Sequence, residues 1–439
     1  MNPIMAYVAR TPVEENNLQT KTTGWAACRS VFQCGPFGWL WVGQAISQIG
    51  DGLNRVALLW FVYELTESAL KMTVVGLLQT LPPLVLGAIA GVYLDRLPKR
   101  GTMIVLDLAR AALLMLIPLL YGMQALTLTS LYVLVFVIAV AGMAFGPTLN
   151  AAIPLLVGRN ELTAANAIMQ STATFGMLFG PAMSGIGIAW FGVENVLYAN
   201  ATAFAVSALC KVPLRLARDT GRGVTLTAQA FLNDFRVGLR FVFVQERIAL
   251  LLMIMVALYN LGSTGFIFLL PVIVKNVLHV GTTQLGLIWS ALGVGMLITS
   301  AWLAWTDQQA LCNRVWLISI AAVLEGLAIL AIRVVANPFI AAFWVLIIGA
   351  GAAIVMPVVA ASLQELTPKE MMARVFSIFN TGAMSSAMLG MVVFGWAADK
   401  IGPATTLILC GTLQLITAGM GILFTRWCTW ESRRAVRAA

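Results

Sequence analysis

Three ionisable side chains inside long apolar stretches are the residues of this sequence best placed for chemistry. Asp51 and Arg55 lie four positions apart in the first stretch, and therefore on one face of a helix. Glu325 lies near the middle of a later stretch, eleven residues from Arg314. Ionisable groups at membrane depth are costly and are functional by default. The pattern makes Asp51, Arg55 and Glu325 candidates for proton coupling.

A structural role is the alternative for each of these groups. Asp51 and Arg55 could neutralise each other on their shared helix face. Glu325 could pair with a neighbouring side chain, or form hydrogen bonds as the neutral acid. The residue types alone leave both alternatives open.

Composition determines what kind of elements hold these residues. Of 439 residues, 60% are hydrophobic and 10% are charged, whereas soluble globular chains carry roughly 25% charged residues. A span of the hydrocarbon layer requires about 20 apolar residues, and backbone groups in lipid must be satisfied within a helix. These requirements predict an all-α membrane protein with twelve transmembrane helices. The predicted spans are 38–64, 72–94, 102–123, 127–157, 164–190, 195–213, 248–274, 283–305, 315–333, 338–362, 373–398 and 404–426.

The basic residues predict how the spans are oriented. By these spans, 21 of the 27 Lys and Arg residues lie on the side of the N-terminus, and four lie opposite. The positive-inside rule then predicts a multi-pass protein of the bacterial cell (inner) membrane with cytoplasmic N- and C-termini. The net charge of +9 reflects this bias and contact with anionic lipids, and requires no nucleic-acid partner.

The chain is expected to contain two related six-helix bundles. Gly76 and Gly286, like Pro147 and Pro357, occupy similar positions about 210 residues apart. Parallel repeats of this kind occur in secondary transporters. The predicted division is a cytoplasmic tail (1–36), an N-terminal bundle (37–213), a cytoplasmic linker (214–247), a C-terminal bundle (248–427) and a basic cytoplasmic tail (428–439). The linker is interpreted as an interfacial amphipathic helix, with a plain tether as the alternative.

Enzymatic and metal-dependent chemistry find little support in the sequence. The six cysteines are scattered without a CxxC pair, and His279 is the single histidine. We therefore expect no metal site, no cofactor and no catalytic nucleophile.

The segment after the second span contains an unusual density of charge. Gly91, Asp95, Arg96 and Arg100 surround this membrane edge, and Asp107 and Arg110 follow on one face of the third span. Charged groups so close to lipid need partners. The sequence therefore predicts a gating charge network among Asp95, Arg96, Arg100, Asp107 and Arg110. The alternative is that these basic residues only follow the positive-inside rule, but that rule does not explain Asp95 and Asp107.

These residues resemble the signature of the major facilitator superfamily, Gly-x-x-x-Asp-Arg-x-Gly-Arg-Arg/Lys. Gly91, Asp95, Arg96 and Arg100 match, whereas Pro98 replaces the second glycine. The resemblance implies that this loop latches two halves in the outward-open state, with Asp95 facing the N-terminus of helix 11. That N-terminus is predicted to be a capping box over Thr367–Glu370.

The chain also resembles the macrolide-efflux and enterobactin-exporter-like branch of that superfamily. Gln44–Asp51 and Arg374–Ser377 are typical of the branch. Gly176, Gly180, Pro181 and Gly185 are similar to the exporter-associated motif of helix 5, with generic small-residue packing as the alternative. Helix 4 departs from the pattern, because it lacks the arginine of many drug:proton antiporters.

The resemblance implies a secondary transporter that exports a small amphipathic solute, drug- or siderophore-like, by alternating access with proton antiport. A proton-coupled importer and a non-transporting membrane sensor or assembly factor are the alternatives. The expected partners are the solute, protons and membrane lipids, with the chain acting as a monomer. The candidate cavity residues are Asn54, Gln79, Asn260, Gln364 and Asn380.

Overall fold

Twelve long helices dominate the described part of the chain. The computed structural model describes residues 31–32, 35–94, 97–158, 161–214, 236, 239–245, 247–305, 311–335, 337–368 and 371–438. In chain order the helices are α1 (Gly35–Thr66), α2 (Ala69–Leu94), α3 (Lys99–Gly122), α4 (Leu128–Ala152), α5 (Leu162–Phe191), α6 (Val193–Lys211), α7 (Arg247–Asn276), α8 (Thr282–Trp305), α9 (Leu311–Ile332), α10 (Pro338–Leu366), α11 (Met372–Ile401) and α12 (Pro403–Ala438). Each predicted span corresponds to one of these helices.

Ten of the described helices are long and apolar enough to cross a membrane. The two that fall outside these limits, α1 and α6, pack against each other in the N-terminal half. Most of the linker lies outside the described residues, so its amphipathic helix stays a prediction; Phe241–Gln245, just before α7, forms a short π-helix. The tail at 428–439 is helical as far as Ala438, as the continuation of α12.

The two halves repeat one packing scheme. In the first half α1 packs on α5 and α6, α3 on α4 and α6, and α2 on α4. The second half has the same neighbours in the same order, with α7 on α11 and α12, α9 on α10 and α12, and α8 on α10. This duplication confirms the predicted fold class of twelve helices in two six-helix bundles.

Sequence signals at the helix ends explain several of the boundaries. The Thr127 side chain accepts a hydrogen bond from the backbone N–H of Ser130 and forms a capping box at the start of α4. Asn337 caps α10 in the same manner, with Pro338 in the first turn. Gly192 and Gly402 end α5 and α11 with φ angles of 81° and 87°, which favour glycine.

The predicted capping box of α11 is wrong. Thr367 instead follows the last residue of α10 as its C-cap, and its buried hydroxyl has no hydrogen-bond partner in the described ranges, which omit residues 369–370. Helix α11 begins five residues later, at Met372, without a side-chain cap. The pattern misled because a threonine and a proline suit the end of one membrane helix as well as the start of the next.

The halves meet chiefly through the helix pairs α2–α11 and α5–α8. We call the end of the bundle that carries the α1–α2, α7–α8 and α11–α12 connections the far end, and the opposite end the near end. Close contact of α5 with α8 towards the far end depends on glycines, because a Cβ on Gly286 would lie 2.6 Å from the Pro181 carbonyl oxygen and 3.1 Å from the Gly185 Cα. The far end is therefore closed by tight packing between the halves.

We expect Gly286→Ala to lower the stability of the folded protein in detergent by about 1–3 kcal/mol, because the added methyl overpacks the α5–α8 contact. Gly382→Ala is the matched control, since a Cβ there meets no heavy atom within 4 Å. Thermal denaturation of the two purified variants measures the difference. Equal melting temperatures would show that the α5–α8 contact tolerates an added Cβ.

Candidate functional site

A polar cavity of about 400 Å³ lies in the N-terminal half, between α1, α2, α3 and α4. It brings together four residues that the sequence singled out as proton-coupling or cavity candidates, together with Arg110 from the predicted gating network. The polar lining residues are Gln48, Asp51, Asn54, Arg55, Gln79 and Arg110. The apolar wall comes from Leu58, Pro83, Val135, Ile138 and Met143, together with two small residues of α4. A cavity of this size and mixed lining is typical of small-molecule sites.

Asp51 pairs with a different arginine from the one that its sequence neighbourhood suggests. Its Oδ1 atom accepts a hydrogen bond from the Arg110 guanidinium at 2.5 Å. The structure therefore does not contain the ion pair between Asp51 and Arg55 that their spacing in the sequence allowed. Helix α3 supplies the counter-charge because it brings Arg110 across the cavity towards α1.

The Arg110 side chain is held by contacts on several sides. Its guanidinium lies over the Phe204 ring, 3.8 Å from the ring centroid. Helix α4 leaves room for it at Gly142, where a Cβ would lie 3.8 Å from the guanidinium carbon. Only 9% of the Arg110 side chain is exposed, whereas 39% of the Asp51 side chain is, so the guanidinium is enclosed and the carboxylate faces the cavity.

Arg55 has no ion pair within 4 Å among the described residues. It lines the cavity and is exposed to it, one helical turn after Asp51. The neighbouring amides of Asn54 and Gln79 also line the cavity, and the buried Asn54 Oδ1 has no hydrogen-bond partner among the residues that the structure describes. Within the cavity, the Arg55 cation therefore lies without a paired anion, beside the Asn54 amide, whose oxygen is free to accept a hydrogen bond.

The gating network differs from the predicted one wherever it is described. Asp107 does not pair with Arg110; its Oδ2 accepts hydrogen bonds from Lys211 at 2.5 Å and Ser207 at 2.8 Å. The Asp107 and Lys211 side chains are both fully buried. Arg100 donates to the Val212 carbonyl at the end of α6 rather than to an acid. Helix α6 thus provides the partners of Asp107 and Arg100, and the sequence of the α2–α3 segment alone does not indicate them.

The remaining members of that network are placed only in part. Asp95 and Arg96 lie outside the described residues, and Gly91 lies in the last turn of α2. Lys99 donates to the Leu94 carbonyl at 3.1 Å, and so stabilises the exposed carbonyls at the end of α2. The role of Asp95 in a latch stays a prediction.

Glu325 occupies a fully buried site in the C-terminal half, between α7, α9, α10 and α12. Tyr259 donates its hydroxyl hydrogen to Glu325 Oε2. The Gln414 amide donates to Glu325 Oε1 at 3.2 Å and to the Tyr259 carbonyl at 3.0 Å. No ion pair reaches this carboxyl within the described residues. Glu325 is therefore a buried acid with neutral hydrogen-bond donors and no counter-ion.

A second carboxyl, Asp399 at the end of α11, joins the two halves at the far end. It accepts hydrogen bonds from the Ser68 hydroxyl and from the backbone N–H groups of Ala69, at 2.6 Å, and Leu70, at 3.2 Å. Asp399 thus caps the N-terminus of α2, where free N–H groups and the helix dipole favour an anion. A neighbouring bond, from Asn276 to the Tyr63 hydroxyl at 2.6 Å, links α7 to α1.

The small residues predicted in helix 5 make two separate contacts. Gly176 and Gly180 face α1, where a Cβ on Gly52 would lie 2.5 Å from the Gly176 carbonyl oxygen. Gly185 and Pro181 face α8 in the other half. The segment therefore holds α5 against α1 and also forms part of the boundary between the halves.

The three cavity candidates of the second half do not join the cavity in the first. Asn260 donates to the Ala383 carbonyl at 3.4 Å and links α7 to α11. Gln364 and Asn380 are exposed near the near-end termini of α10 and α11. Their role in binding solute stays a prediction.

Signals in the sequence could have identified some of the partner residues that the sequence analysis did not name. Lys211 follows Ser207 by one turn at the end of a predicted span, and a lysine there needs an acid when its helix is packed. Asp399 lies at the end of a predicted span, and its capping role depends on which helix start lies beside it. Nothing in the sequence around Tyr259 and Gln414 marks them as functional. Only their closeness to Glu325 in the structure identifies them as its partners.

Residues 22–438 match a family described as transmembrane secretion effector. Among curated relatives, the MFS-type transporter YfiS of Bacillus subtilis is 28% identical over 90% of this chain and 94% of its own. The multidrug efflux pump Tap of Mycolicibacterium fortuitum is 26% identical, over 86% and 92%. The macrolide efflux protein A of Streptococcus pyogenes is 25% identical, over 86% and 93%.

The fold is similar to that of solved transporter structures. A bacterial homologue of the iron transporter ferroportin, in an inward-facing state, superposes with a TM-score of 0.70. It covers 89% of this chain and 98% of its own at 14% identity. This likeness concerns the arrangement of the helices, not the substrate.

Lys211→Met is expected to destabilise the protein by about 3–5 kcal/mol, because it leaves the Asp107 carboxylate buried without a counter-ion. The double variant Asp107→Asn with Lys211→Met should recover much of this loss. Glu365→Gln is the control, since it removes an ion pair whose acid is 58% exposed and should cost about 0–1 kcal/mol. Melting temperatures of the purified variants test the order, and equal losses for Lys211→Met and Glu365→Gln would contradict it.

Proposed function

Because this chain belongs to the transmembrane secretion effector family of the major facilitator superfamily, we propose that it exports a small amphipathic solute by alternating access, coupled to proton antiport. Two efflux proteins among its relatives support the export direction. The observation that carries the proposal is the combination of a polar cavity within one half and tight closure between the halves at the far end.

The far-end contacts suggest which state the structure represents. Asp399 and the α5–α8 glycines close that end, as a transporter open towards the near end requires. Under the proposed orientation, with both termini in the cytoplasm of a bacterial inner membrane, the far end faces outwards. The closed far end then fits an inward-open state, which would receive solute from the cytoplasm.

Asp399 and Asp95 suggest a reciprocal pair of latches. Asp399 at the end of α11 caps the start of α2 when the far end is closed. Asp95 follows the end of α2, and the family resemblance implies that it faces the start of α11 when the near end is closed. As the halves rock, the Asp399 cap on the start of α2 would be replaced by an Asp95 cap on the start of α11. Each state of the transporter would then have one of the two helix starts capped.

Glu325 is the proposed proton-carrying group. A charged carboxylate without a counter-ion is costly in this buried site, and proton uptake removes that charge. The Tyr259 bond connects the carboxyl to α7, and Asn260 on the same helix bonds to α11. A change at Glu325 therefore acts on the helix that carries the Asp399 latch.

Asp51 has a different proposed role. Its bond to Arg110 joins α1 to α3 at the edge of the cavity. Protonation of Asp51 would weaken this bond and release an arginine into the cavity. Protonation of Asp51 would thus change the charge of the cavity, and the affinity for solute would depend on the protonation of this carboxyl.

We expect Glu325→Gln to abolish proton-gradient-driven accumulation in everted membrane vesicles while downhill exchange persists, because the amide cannot release a proton. Asp51→Asn should abolish accumulation without loss of folding. The assay uses a labelled macrolide and a labelled catecholate siderophore as probes, and Glu365→Gln as the control.

Three outcomes would contradict the proposed transport cycle. If Glu325→Gln accumulates solute to the wild-type level, Glu325 is not the proton-carrying group. Accumulation in right-side-out vesicles alone identifies an importer. If neither probe nor protons move in vesicles that contain the folded protein, a sensor or assembly factor becomes the better interpretation.

Asp399→Ala is expected to shift the protein towards states open at the far end, because losing an N-cap costs a helix about 0.5–2 kcal/mol. Spin labels at Glu67 and Val280, in a background without native cysteines, report the separation of the halves at that end. Lys400→Ala is the matched control on the neighbouring residue. Identical distance distributions for Asp399→Ala and wild type would show that Asp399 is not a latch.

A further inference from the structure

We propose that the solute carries an anionic group, a carboxylate or an acidic phenolate, and that this group binds Arg55 in the cavity of the N-terminal half. This inference rests on the proposed transport function and adds the charge class of the solute. It is carried by the charges that line the cavity and by how they are paired.

Among the described residues, the charged groups that line the cavity are one carboxylate and two guanidinium groups, from Asp51, Arg55 and Arg110. Asp51 and Arg110 neutralise each other through the 2.5 Å bond. The remaining charge is that of Arg55, which has no ion pair within 4 Å among the described residues. The cavity thus has a net positive charge concentrated at one side chain.

An unpaired guanidinium at membrane depth is unfavourable, and an anionic ligand relieves that cost. The planar guanidinium of arginine presents donors that match both oxygens of a carboxylate. A cationic ligand would instead meet Arg55 directly, and the one acid nearby is already occupied by Arg110. The electrostatics therefore favour anions over cations of the same size.

The rest of the lining fits an amphipathic molecule with one charged end. Asn54 and Gln79 offer amides beside Arg55, and within the described part of the chain the buried Asn54 Oδ1 lacks a hydrogen-bond partner. Val135, Ile138 and Met143 of α4 form an apolar wall. A hydroxyl near the anionic group would satisfy Asn54, and an aromatic or aliphatic body would pack on α4.

Binding of two probes that share one body and differ in charge tests this inference. The probes are 2-naphthoate and (2-naphthylmethyl)trimethylammonium, each titrated against the purified full-length protein and followed by tryptophan fluorescence and melting temperature. We expect 2-naphthoate to bind more tightly. Arg55→Gln should weaken its binding about tenfold or more, whereas Arg55→Lys should retain part of it.

Arg333→Gln is the matched control, because it removes one positive charge from an exposed position outside the cavity. It should bind 2-naphthoate as the wild type does. A melting temperature for Arg55→Gln close to that of the wild type establishes that the variant folds. If Arg55→Gln does not fold, the comparison of Arg55→Lys with wild type for the two probes still decides the matter.

The inference is overturned if the ammonium probe binds as tightly as 2-naphthoate, if Arg55→Gln binds both unchanged, or if neither probe binds the wild type. These outcomes differ from failure of the proposed function. If the chain exports a cationic solute and Arg55→Gln does not change that export, the chain is still an exporter, and only the proposed preference for anions is wrong. A chain that moves no solute in vesicles contradicts the proposed function itself.

Discussion

The constraint on which this structure depends is that lipid offers no water to a buried charge. Every ionised side chain within the helices must find its partner in the protein or face a cavity. Asp107 meets Lys211, Asp51 meets Arg110, and Asp399 meets the free N–H groups at the start of α2. Each pairing joins helices that are distant in sequence, so the charges hold the bundle together as well as mark its functional regions.

The Asp107–Lys211 pair and the Asp399 cap differ in burial and in the helices that they join. The Asp107–Lys211 pair joins α3 to α6 within one half, and it is fully enclosed. The Asp399 cap joins the two halves at an exposed end, where water can replace it when the halves separate. Such a cap contributes about 0.5–2 kcal/mol, a modest energy that suits the proposed latch, which would break in each transport cycle. A buried ion pair at that position would hold the far end closed.

The two halves share one fold but differ in polar content. The first half contains a cavity with Asp51, Arg55 and Arg110, and the second half encloses the isolated acid Glu325. The proposed roles follow from this difference, with the solute cavity and Asp51 in the first half and the proton-carrying acid Glu325 in the second. The link between them passes through α7, which bonds to Glu325 through Tyr259 and to α11 through Asn260.

The sequence by itself determined the twelve helices and the duplicated halves, because hydrophobic length and charge spacing act locally along the chain. It also identified Asp51, Arg55 and Glu325, since an ionisable residue in an apolar run is visible without a structure. Only the tertiary structure decided their partners: Arg110 rather than Arg55 for Asp51, Lys211 rather than Arg110 for Asp107, and Tyr259 and Gln414 for Glu325. The physical reason is that a buried charge is neutralised by whatever lies within about 3 Å in space, and helix packing brings together residues that the sequence separates by 59 to 104 positions.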